Sequence, residues 1–198
     1  MKKTLILAAA LLPAFALPFA AQAQTSRDRS GASPFSYTYA ELRYVVQDPD
    51  GPSDDFDGLR LGGSLQFRPQ LFAVGSLTSV SNGPVDIDTI DLGLGFRTAL
   101  QNNVDFVAIG GLIFANVDTP GGGGDDDSGI SLTGGVRGMM SPQLELGGYV
   151  SYVDVYGDGD IGLTGEALFH VNRQATLLAS LGFSDDVSTL TLGGRWNF

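Results

Sequence analysis

The feature that most constrains this chain is a period of two, sustained in one short segment after another along most of its 198 residues. Near 87–98, Ile90, Leu92, Leu94 and Phe96 share one parity, and Thr89, Asp91, Gly93, Gly95 and Arg97 share the other. Near 128–139, Ile130, Leu132, Val136 and the adjoining Met140 oppose Ser131, Thr133 and Arg137. Near 188–198, Leu190, Leu192, Trp196 and Phe198 oppose Thr189, Thr191, Arg195 and Asn197. Successive side chains of a strand point to opposite faces, so this alternation predicts a sheet with one apolar and one polar face. Two segments are less regular: Phe72, Val74, Val107, Ile109 and Ile113 all take the polar parity.

Tight turns punctuate the strands at Arg68-Pro69-Gln70, Gln101-Asn102-Asn103, Ser141-Pro142-Gln143 and Asn172-Arg173-Gln174. They recur at roughly 30 to 40 residues, the length of one hairpin plus one loop. Ten strand-like segments fit between the breaks, near 36–47, 56–67, 71–81, 87–98, 104–116, 128–139, 144–154, 160–170, 174–184 and 188–198. Each matches or slightly exceeds the roughly 9 to 11 residues with which a tilted strand crosses a bilayer. After residue 23 no run of eighteen apolar residues exists, so lipid could be crossed only by a closed barrel that satisfies its own backbone. The predicted fold is all-β: a transmembrane antiparallel up-and-down β-barrel of about ten strands covering 35–198.

The first 23 residues read as a cleaved signal peptide. Lys2 and Lys3 precede an apolar stretch from Leu5 to Ala16, and Ala21-Gln22-Ala23 supplies the small residues of a cleavage site. Residues 24–34, rich in Ser, Gly and Arg, read as a flexible lead-in. Setting Lys2 and Lys3 aside leaves nine Arg against 22 acidic residues, a net charge of −13. That balance argues against nucleic acid as a partner, because phosphate binding needs a positive surface. The absence of Cys excludes disulfides, thiol chemistry and a lipid-anchored Cys.

Parity alone does not say which face looks outward. Along the apolar parity, Phe67, Phe96, Phe106, Phe169, Trp196 and Phe198 lie near the short-turn end, and Tyr44, Phe114, Tyr152 and Phe183 lie near the other. Two belts separated by aliphatic residues match the aromatic girdles of membrane barrels, which makes outer-membrane lipid the expected neighbour. About sixteen of the nineteen Asp fall in or beside five loops at one end, against four short turns at the other. The stretch from Thr191 to Phe198 resembles the terminal assembly signal of outer-membrane proteins, with Thr191, Gly193, Trp196 and Phe198 at the signal positions. That resemblance implies recognition by the barrel-assembly machinery. The hairpin pattern also resembles the eight- to ten-stranded barrels typified by the outer-membrane protein X and A transmembrane families. Ser36-Tyr37-Thr38-Tyr39-Ala40-Glu41 is similar to the start of a ten-stranded group associated with diffusible-signal or quorum-related proteins, a likeness too short to imply signalling.

With the apolar face outward, Glu41, Arg43, Arg60, Asp91, Arg97, Arg137, Glu145, Glu166 and Arg195 all point into the lumen. Isolated buried charges are costly, so these groups must pair or stay wet. They form either a polar core that holds the barrel shut or the selectivity lining of a narrow pore. The acidic loops, with Asp154, Asp158 and Asp160 or Asp125 to Asp127, offer carboxylates to divalent cations, though no EF-hand spacing is present. Gly121 to Gly124 lacks the Lys-Ser/Thr pair of a phosphate loop. Omptin-like proteases of ten strands carry acidic pairs and an Asp–His pair at the outer rim. Here the one His, His170, falls beside the opposite turn with no evident Ser or Asp partner. The reading is therefore of a non-enzymatic barrel without cofactor, serving envelope integrity or surface interaction. A narrow solute channel and a loop-mediated adhesin or cation-binding surface protein are the alternatives.

Overall fold

A computed structural model describes residues 33–49, 55–119, 124–155, 157–185 and 187–198. The signal-peptide segment and the lead-in as far as residue 32 lie outside the described residues. Ten strands follow in order: β1 (Tyr39–Pro49), β2 (Phe56–Arg68), β3 (Leu71–Asn82), β4 (Val85–Gln101), β5 (Val104–Asp118), β6 (Asp125–Met139), β7 (Leu144–Val155), β8 (Asp158–His170), β9 (Ala175–Ser184) and β10 (Val187–Asn197). Each pairs antiparallel with its sequence neighbour, and β1 pairs with β10 to close the wall. The seam runs in unbroken register from Tyr39 opposite Asn197 to Pro49 opposite Val187.

The wall is apolar outside and polar inside, the reverse of a water-soluble barrel. Leu42, Leu61, Leu94, Leu132, Leu163 and Leu192 are about half exposed on the outer face. Glu41, Arg60, Asp91, Arg137 and Glu166 are buried within. Such a continuous exposed apolar face is stable only in lipid. The residues that broke the polar parity also face inward. Phe72, Val74 and Val107 form one apolar cluster with Phe35 and Tyr37, while Ile113 forms another with Val153 and Val155.

The acidic end differs from the sequence expectation in one respect. Strands run on where loops were expected: Asp86, Asp118, Asp125, Asp126 and Asp127 all lie in paired strand. Cross-strand hydrogen bonding continues past the apolar band, because outward side chains there need not be hydrophobic. Only residues 83–84 separate β3 from β4, with Gly83 at φ +58°, a left-handed conformation that L side chains avoid.

Closing ten strands around a side-chain-filled interior requires room for rings, and glycine supplies it. The Phe72 ring lies against Gly95, where an added Cβ would sit 2.1 Å from it. Tyr149 is accommodated in the same way by Gly135, where a Cβ would come within 2.4 Å of the ring. Outward-facing Gly134, by contrast, has nothing within 4 Å. Gly95→Val is therefore expected to destabilise the barrel by about 1–3 kcal/mol through overpacking. Gly134→Ala should stay within about 0.5 kcal/mol of the parent. Urea titrations in lipid vesicles, read by heat-dependent gel mobility, check both.

Candidate functional site

The lumen holds the chain's concentrated chemistry. On β1, Glu41 and Arg43 are two residues apart and so share the inward face. Arg195 of β10 lies directly opposite Glu41 across the seam, and Glu166 comes from β8. These four alternate in a closed ring. Arg43 Nε donates to Glu41 Oε1 at 2.6 Å, and Arg43 Nη2 meets Glu166 Oε2 at 2.9 Å. Arg195 Nε donates to Glu41 Oε2 at 2.9 Å, and Arg195 Nη2 lies 3.6 Å from Glu166 Oε1. Each charge has two opposite neighbours, which is how buried ions offset their lost hydration.

Three further pairs surround the ring. Arg60 Nη2 lies 3.3 Å from Asp91 Oδ2, with the Ser76 hydroxyl accepting from Arg60 at 2.8 Å and donating to Asp91 at 3.0 Å. Arg137 Nε donates to Glu145 Oε1 at 2.6 Å, and its guanidinium stacks on Phe35 and Tyr37 at 4.6 and 4.8 Å from the ring centres. Arg97 Nη1 lies 3.2 Å from Asp105 Oδ2. All nine residues singled out in the sequence are thus buried in the lumen and ion-paired.

Asp105 was absent from that set. It is fully buried on the inward parity of β5, beside the Asn102-Asn103 turn and ahead of the apolar Val107 and Ile109. Those neighbours hide the polar face locally. The signal that could have found it is charge balance: five inward Arg require five carboxylates, and Asp105 is the fifth.

Asp105 also anchors the segment ahead of β1. Ser33 and Tyr37 hydroxyls donate to its Oδ2 at 2.7 and 2.9 Å. Phe35 and Tyr37 are buried against Phe72, Val74 and Val107, so the segment ahead of β1 packs into the short-turn end of the lumen. Toward the other end, Val45, Phe56, Val80, Ile87 and Val117 pack together inside the wall. A cavity of about 40 Å³ adjoins the first of these clusters and is also lined by Arg43, Arg137, Glu166 and Arg195.

His170 has partners that sequence reasoning missed. Its Nε2 lies 3.3 Å from Glu145 Oε2, and its Nδ1 lies 2.9 Å from the Thr176 hydroxyl. Thr176 is 2% exposed, and its hydroxyl also accepts from Asn197 Nδ2 at 3.0 Å. Asp154 accepts from Tyr152 at 3.3 Å, and Asp126 accepts from Asn116. Among the described residues no group of three or more metal-ligating side chains comes together. Of the terminal residues, Thr191 is buried and Gly193 shares its inward parity, while Trp196 and Phe198 are exposed on the outer face.

Fold and lumen together define the class: a small transmembrane barrel of the outer-membrane type. Solved structures share the architecture. The KdgM porin, described as in complex with disordered oligogalacturonate, superposes with a TM-score of 0.51 at 14% identity, covering 81% of this chain and 99% of that one. An outer membrane channel from Pseudomonas putida F1 gives 0.47 at 15% identity, covering 88% and 100%. The N-terminal β-barrel domain of Pseudomonas aeruginosa OprF gives 0.44 at 10%, covering 83% and 100%. No family model and no curated protein sequence matches.

Replacing Asp105 by Asn leaves Arg97 buried without its counter-charge, which is expected to cost about 3–5 kcal/mol. Tyr37→Phe keeps the ring stacking and removes one hydrogen bond to a carboxylate, worth about 1.5–3 kcal/mol. Unfolding in urea measures both, and the double variant should fall short of their sum because the two residues share one contact.

Proposed function

We propose that this chain is a closed, non-enzymatic outer-membrane barrel whose ion-paired interior braces the wall and whose role is envelope integrity or contact at its acidic outer end. The observation that carries this reading is the lumen: five Arg and five carboxylates, all buried, with a cavity of about 40 Å³ beside Arg43, Arg137, Arg195 and Glu166. A conducting pore needs a continuous wet path. The apolar packing of residues 35 and 37 at one mouth and the inward apolar cluster toward the other support a path that is interrupted. In this reading residues 1–23 direct export and are removed, and Thr191, Gly193, Trp196 and Phe198 present the chain to the barrel-assembly machinery. Outward Trp196 and Phe169 at one end and Tyr44 and Phe114 at the other support two belts at the lipid boundaries.

A narrow channel is the second reading, favoured by the fold shared with the KdgM porin. Single-channel recording of the full protein, extracted from membranes and inserted in a planar bilayer, separates the two. The closed barrel gives no reproducible conductance steps. Steps whose ion selectivity shifts on Arg137→Glu or Glu166→Arg would replace it with the channel.

A further inference from the structure

Residues 33–38 enter the lumen without joining its wall. The registers of β1 begin at Tyr39, opposite Asn197 on one side and Ser64 on the other, so the cylinder closes without this segment. Among the described residues none of 33–37 is strand-paired. The segment is tied to the wall at its foot, where the Thr38 carbonyl accepts from Phe198 N at 3.0 Å and the Thr38 hydroxyl accepts from Gln66 N at 3.2 Å. Ahead of Thr38 the hold passes to side chains. Ser64 Oγ donates to the Tyr37 carbonyl at 2.7 Å. The Ser33 and Tyr37 hydroxyls converge on Asp105 Oδ2, which Arg97 also meets, and Phe35 and Tyr37 stack on the Arg137 guanidinium.

The wall provides a seat for these two rings. Phe72, Val74 and Val107 present apolar surface inward and pack on Phe35 and Tyr37. The same three side chains, with Tyr37 and Arg137, line the cavity of about 40 Å³ that reaches Arg43, Glu166 and Arg195. Tyr37 is therefore shared between the seat and the cavity. Withdrawing Phe35 and Tyr37 joins the two spaces into one vestibule that ends at the ion-paired ring.

An element held by side-chain contacts, outside the hydrogen-bonded ladder, opens at a lower free energy than the wall it packs against. We infer that residues 33–37 are a displaceable plug, hinged at Thr38, which swings out of the short-turn mouth while the barrel stays closed and so controls access from that side to the lumenal ring. Burial of the two rings favours the docked state. Asp105 sets how firmly it docks, because two of the donors sharing its Oδ2 come from the plug. The inference goes beyond the closed-lumen reading and is tested separately, since conductance reports a continuous path and the experiments below report movement at one mouth.

Chymotrypsin, which cuts after aromatic residues, is added to the folded, detergent-extracted protein. Cleavage is expected after Phe35 or Tyr37 at a rate set by the open population, and the cut product should keep its heat-dependent gel mobility. Tyr37→Phe keeps the ring and removes one hydrogen bond to a carboxylate. Cleavage after Phe35, normalised to the urea-unfolded chain, should then rise about tenfold or more. The sequence has no Cys, so Val107→Cys supplies a single thiol on the seat. A water-soluble maleimide should label it in the folded barrel, and faster when Tyr37→Phe is added. If Val107→Cys does not fold, Val74→Cys on the same seat replaces it. A segment left uncut until the gel shift is lost would be a fixed part of the core and would overturn the plug. Cleavage without labelling of the seat would mean that the chain end frays while the mouth stays covered, and would overturn it equally.

Discussion

Everything in this molecule depends on the closure of its wall. In lipid no water is present to satisfy an open sheet edge, so the free edges of β1 and β10 must find each other. The register from Tyr39–Asn197 to Pro49–Val187 does this over the whole length of β1. Closure then fixes the rest. It turns the apolar parity of ten strands outward and forces the polar parity into a narrow interior, where charges have nowhere to go but to one another.

That confinement explains the character of the lumen. A carboxylate and a guanidinium at a water-facing surface contribute little to stability. Inside the wall the same groups are committed to their partners, and losing one strands the other. The four-membered ring of Glu41, Arg43, Glu166 and Arg195 gives each ion two opposite neighbours. The ring–glycine contacts around it, Phe72 on Gly95 and Tyr149 on Gly135, fill the remaining width without bending the wall outward.

Much of this was legible in the sequence, because a period of two is written directly into the residue types. Strand number and direction follow from it, and all twenty strand ends fall within three residues of where the pattern places them. Legibility failed where the pattern's logic changes. Phe72, Val74 and Val107 break the polar parity because they pack against Phe35 and Tyr37 from the segment ahead of β1, a contact between distant segments that leaves no local trace. Asp105 was obscured by those same neighbours. The acidic stretch at Asp125–Asp127 looked like loop because its composition is that of loops, although the backbone there is paired. His170 found Glu145 and Thr176 from neighbouring strands, a proximity set by register across two hairpins.

The seam has a consequence for how such a barrel is put together. Glu41 and Arg195 are 154 positions apart in sequence yet face each other across it. Until β10 is delivered, Glu41 has Arg43 alone, and Glu166 lacks its second cation. The interior is electrically incomplete for as long as the cylinder is geometrically open. The final strand is thus a keystone in two senses, sealing the backbone and balancing the charge in one event, so a partly built wall gains little of the stability of the finished one.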